Sequence, residues 1–365
     1  MKKKILLFIK TPPPVTGATL MNQRVNNSNI LRYSFDIRSI CISYSKNILD
    51  MGSISIQKIL VFSQTLAKLF KELLFHRPQM VYFQISPIGS VFIRDLIFTS
   101  VMKLFQVKIL YHLRGKGIKE ELQSKLKKVL YKYAFNDAEV VCVSDLLKYD
   151  IDDVHNGNIY IVNNGIPDVP QKYIDQNIES PNSIPRILFL SNLLKSKGII
   201  DFFDSLKILN DSHINFVALI VGAEGDLKRE QLFVELNNRF IKNKVKYLGP
   251  HYNDDKYKII SEIDILVFPT KNDIWGNVIL EAMQMSKPVI ATKEGAIPEI
   301  IDNGINGFLI DKSSPQQIAE RVEYLIKNPE LSKQMGKNAR KKYEEKYTLK
   351  IFEENLLEVF KKALG

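Results

Sequence analysis

The stretch Ile265-Leu-Val-Phe268, Pro269-Thr-Lys-Asn272, Asp273-Ile-Trp-Gly276-Asn277-Val278-Ile-Leu-Glu281-Ala-Met283 runs from an apolar segment through a turn into a segment of helical period. A short apolar run bounded by a turn reads as a strand buried on both faces, the kind found in parallel sheets. Gly276 gives the backbone the freedom for positive φ or close approach where the helix begins. A helix that starts near Asn277 leaves its first N–H groups, those of Asn277 and Val278 among them, without intrahelical acceptors, and such a terminus attracts an anion. Glu281 falls one turn inside, where a carboxylate can accept two hydrogen bonds from a vicinal diol such as a ribose. Asp273, at the strand exit, is placed to take hydroxyls of a second polar group. Compensation of the helix dipole accounts for both acids equally well at this point.

Working outward, the same strand–turn–helix unit recurs along the chain. In the second half, strands are expected at 186–190, 216–221, 244–248, 265–268, 288–291 and 307–310. Helices are expected near 198–210, 226–242, 254–262, 277–286, 315–327 and 330–345. In the first half, strands are expected at 4–9, 80–85, 108–112, 140–143 and 159–162, with helices near 53–75, 90–106, 118–135 and 145–154. Such alternation specifies parallel sheets with helices on both faces. Asp168–Pro185, with Pro170, Pro181 and Pro185 among mostly polar residues, reads as a linker. The expected organisation is a domain over 1–168, a linker over 169–185, a domain over 186–345, and a C-terminal helix over 346–365 that crosses back to the first domain. In open α/β sheets, ligands bind beyond the carboxyl ends of the strands, so the residues that follow strands carry the functional reading.

Two further loops have that position. Phe189-Leu-Ser-Asn192-Leu-Leu-Lys195-Ser-Lys197-Gly198 sets Lys197 beside a glycine at the mouth of a helix, where an ammonium group can hold a phosphate as a point charge. Lys293-Glu-Gly295-Ala-Ile-Pro298-Glu299 follows the strand at 288–291 and can offer backbone N–H groups to a diphosphate. A solvated lysine and a plain turn are the structural alternatives.

Together the three loops resemble the donor half of the nucleotide-sugar glycosyltransferases of family 4, which have the GT-B fold. The family pattern is a carboxylate, seven residues, then Glu-Ala-Met, preceded by a Gly-Arg…Lys-Gly segment and followed by Gly-x-x-Pro-Glu and a short Asn-Gly-hydrophobic run. Here these stand as Asp273 and Glu281-Ala282-Met283, Lys197-Gly198, Gly295-Ala-Ile-Pro298-Glu299, and Asn306-Gly307-Phe308, in that order over most of 186–345. The chain departs from the pattern twice: Asp273 replaces the usual first glutamate, and Asn192 stands where the family has an arginine. The resemblance implies an α/β GT-B fold, two doubly wound Rossmann-like domains facing a central cleft, with the acceptor on the first domain. It implies retaining transfer of a sugar from a nucleoside diphosphate sugar to an acceptor hydroxyl. Lys197 and Asp273 would then be catalytic, with Asn192, Lys197, Gly276, Asn277, Val278, Glu281 and Gly295 binding the donor. No cofactor and no metal are expected.

The first half matches the family less closely. Thr11-Pro-Pro-Pro14-Val-Thr16-Gly17-Ala18 stands where family members have a glycine-rich loop, and Gly17 alone of the usual pair is recognisable. His112 ends the strand 108–112, and a histidine at that place in the family contacts the transferred sugar, so the resemblance adds Gly17 to the donor site and His112 to the catalytic residues. Asn163-Asn164-Gly165 resembles an architectural turn before the linker, and Val143-Ser144 is read as structural.

Composition sets the outer limits. The chain has 365 residues, 45% hydrophobic and 25% charged, which excludes a disordered or fibrous protein and favours two domains. Cys41 and Cys142 lie far apart, so neither a disulfide framework nor a cysteine zinc site is offered, and a reducing cytoplasm fits. The apolar run Ile5–Ile9 is too short for a signal peptide, and no stretch approaches the roughly 20 apolar residues of a membrane span. Residues 1–170 hold 23 Lys and Arg against 13 Asp and Glu, whereas 171–365 hold 28 against 27. The excess in the first half points to an anionic ligand or surface, and no nucleic-acid motif accompanies it. Residues 114–132 carry seven basic residues and the apolar positions Ile118, Leu122, Leu126, Val129, Leu130 and Tyr133 at helical spacing. That pattern suits a helix covering a sheet, or a peripheral contact with an anionic membrane. A lipid-linked saccharide of surface polysaccharide assembly, lipopolysaccharide or capsule, is the expected acceptor. The alternatives are a GT-B sugar-nucleotide epimerase and a catalytically silent binding protein. An NAD-type oxidoreductase is disfavoured, because no Gly-x-Gly-x-x-Gly follows a strand.

Overall fold

The computed structural model describes residues 2–42, 56–175 and 184–365. They form two units: Met1–Asn164 with Lys350–Gly365, and Gly165–Leu349. The first contains strands β1 (Lys4–Lys10), β2 (Asp36–Ile42), β3 (Met80–Phe83), β4 (Lys108–Leu113), β5 (Ala138–Cys142) and β6 (Ile159–Ile161), in the order β2-β1-β3-β4-β5-β6. The second contains β7 (Arg186–Leu190), β8 (Val217–Val221), β9 (Val245–Gly249), β10 (Ile265–Phe268), β11 (Val289–Thr292) and β12 (Gly307–Ile310), in the order β12-β11-β10-β7-β8-β9. Every strand pair is parallel. Ile5–Ile9 and Ile265–Phe268 are buried along their whole length, because helices cover both faces of each sheet. In each sheet the strand order reverses once, at β1/β3 and at β7/β10, which opens a crevice beyond the strand ends there.

β2 is a strand that sequence periodicity does not show. Asp36-Ile-Arg-Ser-Ile-Cys-Ile is half exposed and charged at its start, as befits an edge strand pairing with β1 alone. The expected helix over 118–135 is broken. A single turn, Ile118–Glu121, is followed by Ser124, whose hydroxyl accepts from the Lys127 N–H at 3.4 Å and starts a new helix, Lys125–Phe135. Of the expected helix 53–75, residues 53–55 lie outside the described residues.

The boundary between units also differs from the expected linker. The chain enters the second unit at Gly165. Ile166 pairs with Tyr347 and Leu349 through backbone hydrogen bonds of 3.0 and 2.8 Å. The Tyr343 hydroxyl reaches Ile166 O and Asp168 Oδ1, both at 3.0 Å, and Val169 N–H donates to Gln284 Oε1 at 3.1 Å. Residues 165–169 are therefore part of the second unit, and Gln171–Asp175 is a helix, with Tyr173 beside Tyr257 at 6.1 Å. The rest of the expected linker, 176–183, lies outside the described residues. The last helix, Leu349–Leu364, belongs to the first unit from Lys350 onward: Phe360 packs on Tyr82 at 5.4 Å and Lys3 Nζ donates to Leu364 O at 3.2 Å. Among the described residues, no helix is long and apolar enough to cross a membrane.

Candidate functional site in the second unit

The loops after β7, β10 and β11 interlock at the switch point of the second sheet. Lys271 and Asn272 N–H groups both donate to Ser196 O, at 2.8 and 3.2 Å, which joins the β10 loop to the β7 loop. A Cβ on Gly198 (φ +76°) would sit 2.0 Å from Pro269 O, so only glycine lets these backbones approach. A Cβ on Gly295 (φ +53°) would sit 2.4 Å from Asp273 O, and Ala296 N–H donates to Ile274 O at 2.8 Å. The Gly295 loop thus backs the Asp273 loop, and the Ala296 amide is already spent within the protein.

Asp273 divides its two carboxylate oxygens between the loop and the mouth of the site. Its Oδ1 accepts the N–H groups of Ile274, Trp275 and Gly276 at 2.8, 3.1 and 2.9 Å, which folds the approach to the helix Asn277–Met283. Oδ2 accepts from Lys197 Nζ at 2.6 Å and is the oxygen with capacity left for a hydroxyl. Lys197 also donates to Asn272 O at 2.8 Å, so the lysine expected to meet a phosphate is held at the mouth of the site by the loop it faces. Both side chains remain about one-fifth exposed. Gly276 adopts φ +80°, the left-handed backbone that turns the chain into the helix, and the first-turn amides of Asn277 and Val278 follow it.

Glu281 is the strongest element. It is 8% exposed, its Oε1 is paired with Lys256 Nζ at 2.7 Å, and its Oε2 is buried without a hydrogen-bond partner. A buried carboxylate oxygen without a donor is costly. One that lies a turn inside this helix is ready for a ligand hydroxyl. Lys256, on the helix Asn253–Ser261, is the residue that sequence reading missed: Asn253-Asp-Asp-Lys256 reads as an exposed helix start, and nothing local shows that one of its side chains reaches Glu281.

Asn192 Oδ1 accepts from Ala223 N–H at 3.2 Å, which turns that oxygen onto the loop after β8, so the residue expected at the donor also serves loop architecture.

Gly17 and His112 belong to the first unit. Gly17 opens the helix Gly17–Asn27, capped by Thr16 in a reciprocal box with Thr19. His112, at the end of β4, is fully buried. Its Nδ1 lies 2.6 Å from the Tyr82 hydroxyl and 3.5 Å from Arg114 Nη2. Arginine has only donors, so the nitrogen facing it is the acceptor and the neutral ring carries its proton on Nε2. Burial, and then the Arg114 cation, hold His112 well below the usual imidazole range. Nε2 is buried and has no partner. Arg114 in turn donates to Asn22 Oδ1 at 3.1 Å and Asn164 Oδ1 at 2.7 Å, and Asn22 Nδ2 donates to Gln84 Oε1 at 2.9 Å. This network fixes the His112 ring. Asn163 donates to Val143 O at 2.8 Å, an architectural contact.

Comparison with known proteins agrees with this geometry. Residues 171–342 match the family described as glycosyl transferases group 1. The chain is 30% identical over 232 residues to an uncharacterized glycosyltransferase of Methanocaldococcus jannaschii, covering 62% of this chain and 61% of that protein. It is 31% identical over 169 residues to the capsular polysaccharide biosynthesis glycosyltransferase CapM of Staphylococcus aureus, covering 46% and 43%. The aligned part thus spans less than two thirds of either relative. The Anabaena protein HepE, solved in complex with UDP, superposes with a TM-score of 0.74 at 17% identity over 99% of this chain and 100% of that one. The two parallel six-stranded sheets, each covered by helices, are those of the GT-B fold.

Proposed function

We propose that this protein is a retaining glycosyltransferase that moves a sugar from a nucleoside diphosphate sugar to a hydroxyl of a lipid-linked saccharide during surface polysaccharide assembly in the cytoplasm. The observation that carries the reading is the buried, half-satisfied Glu281 carboxylate beneath the first turn of a helix whose mouth holds Lys197. Oε2 accepts a ribose hydroxyl, and Lys256 holds the carboxylate in place through Oε1. Lys197 and the amides of Asn277 and Val278 meet the diphosphate. Their fixed charge and dipoles stabilise the leaving group as it departs. Asp273 Oδ2 orients a sugar hydroxyl while its Oδ1 holds the loop.

The acceptor oxygen bonds to the anomeric carbon as the bond to the diphosphate breaks, and the acceptor proton passes to the departing phosphate oxygen. Retention by this same-face route is favoured because neither acid of the site is free to attack: Asp273 is held by three amides and a lysine, and Glu281 lies buried against Lys256. In the first unit, His112 donates from Nε2 to a substrate hydroxyl and does not act as a base, since its Nδ1 is occupied and its cationic form disfavoured. The capsule function in the name of one relative supports a polysaccharide acceptor.

The test is transfer of labelled sugar from UDP- and GDP-sugars to a lipid extract of polysaccharide-producing cells, with the anomeric configuration of the product read by NMR. Labelled lipid product with the donor's configuration is expected. Product of inverted configuration would overturn the same-face route, and donor epimerised in the absence of acceptor would replace the transferase reading.

A further inference from the structure

The ion pair between Lys256 and Glu281 is not explained by the stability of the fold. Both side chains are largely buried, at 18% and 10% exposure, with Lys256 Nζ 2.7 Å from Glu281 Oε1. Burying two opposite charges together is close to neutral for stability, because the desolvation of each offsets their attraction. Lys256 is also the fourth residue of the helix Asn253–Ser261, near an N-terminus whose dipole opposes a cation. Neither packing nor helix stability calls for a lysine here.

The hydrogen-bonding capacity left on the pair is complementary. An ammonium group has three donors and no acceptor, and among the described residues Nζ has one acceptor, Glu281 Oε1. Oε2 of the same carboxylate is buried, has no hydrogen-bond partner and can only accept. A carboxylate with both oxygens open would take a vicinal diol with one hydroxyl on each. Here Oε1 is occupied, so that arrangement requires the lysine to leave. With the lysine in place, the pair sets an acceptor and a donor side by side. A hydroxyl is both donor and acceptor, so two neighbouring hydroxyls satisfy the pair without disturbing it.

We propose that Lys256 is a second ribose-binding residue: one ribose hydroxyl donates to Glu281 Oε2, and the oxygen of its neighbour accepts from Lys256 Nζ. The inference rests on the nucleoside diphosphate reading above and adds to it how the diol is selected. Recognition of ribose over deoxyribose is divided between a carboxylate on the helix Asn277–Met283 and an ammonium group on the helix Asn253–Ser261.

The experiment is calorimetric binding of UDP, GDP and ADP, each with its 2′-deoxy and 3′-deoxy forms, to the wild type, Lys256→Met and Lys256→Gln. Thermal unfolding of each variant checks the fold. The wild type should bind both deoxy forms of its preferred nucleotide about 10–100-fold more weakly than the parent. Lys256→Met should bind the parent weaker by a similar factor and lose discrimination at one hydroxyl while keeping it at the other. The discrimination that remains should disappear in Lys256→Met/Glu281→Ala. Lys256→Gln leaves Glu281 a neutral donor, which guards against unfolding, and should fall between the wild type and Lys256→Met at the same hydroxyl. Discrimination kept at both hydroxyls in the Lys256 variants would overturn the proposal. Discrimination lost at both would make Lys256 only a clamp on Glu281, and tighter binding by Lys256→Met would mean that the diol displaces the lysine; either overturns it. Wild-type binding of none of the three nucleotides would remove the donor reading itself, whereas wild-type binding with unchanged Lys256 variants removes this inference alone.

Discussion

The two units share one architecture and differ in how their polar groups are arranged. The first holds 26 basic and 15 acidic residues and the second 25 of each, so the whole excess of charge lies on one of them. In the second unit, the site is made of consecutive residues at the ends of adjacent strands, tied by glycines that let backbones touch. In the first, the polar network of Asn22, Tyr82, Gln84, His112, Arg114 and Asn164 takes its residues from segments spread over most of the unit. A fixed cradle for an anion can be built from local loop chemistry. A buried hydrogen-bond network that orients one histidine needs the tertiary fold.

The sharpest way to break this comparison is to remove the groups on which the second unit rests. Lys197→Ala deletes the positive charge held at the mouth of the site. Affinity for a nucleoside diphosphate should fall by about 10–100-fold, in line with the loss of a charge-assisted contact worth roughly 1.5–3 kcal/mol, with the melting temperature little changed. Equilibrium dialysis with labelled UDP and GDP measures it. Gly295→Ala should cost stability instead, about 1–3 kcal/mol, because the new Cβ would press on Asp273 O at 2.4 Å. Denaturant unfolding reads the loss, and a fully stable variant would show that the Asp273 loop is not braced in this way.

In the first unit, Arg114→Met removes the cation that faces His112. The imidazole pKa should rise toward its ordinary value while burial still holds it below, as followed by NMR titration of the ring. Because the folded protein keeps His112 neutral, the unfolded state binds the extra proton. Stability should therefore fall as pH drops below about 6.5, less steeply in a His112→Gln variant.

A second pH effect is expected at Lys287. Burial pushes its pKa down to about 8, with Asp264 opposing, and its ammonium donates to Ser261 O at 2.8 Å. The unfolded chain binds more protons between about pH 8 and the ordinary lysine value near 10.4. Over that window the wild type should gain stability relative to Lys287→Met, in paired denaturant curves.

The legibility of the sequence follows the same division. The Asp273–Met283 stretch, Lys197-Gly198 and Gly295 could be read directly, since a strand exit, a glycine and a helix start are local signals. The departure at β2 has a local cause as well: it is an edge strand whose polar residues hide its period. Lys256 and the partners of His112 were out of reach, because their roles exist only once distant helices and strands are packed together. The exposed Leu126 and Val129 are of the same kind: helical spacing shows a stripe, and only the packed helices show that part of it turns outward.

Donor binding by isothermal calorimetry, with UDP-, GDP- and ADP-sugars on the wild type and on Glu281→Ala, tests the central claim most directly. Saturable binding of one nucleotide class, weakened at least ~100-fold when the carboxylate is removed, is the predicted result. Binding that survives the loss of Glu281 unchanged, or no binding of any nucleotide sugar by the wild type, would contradict it.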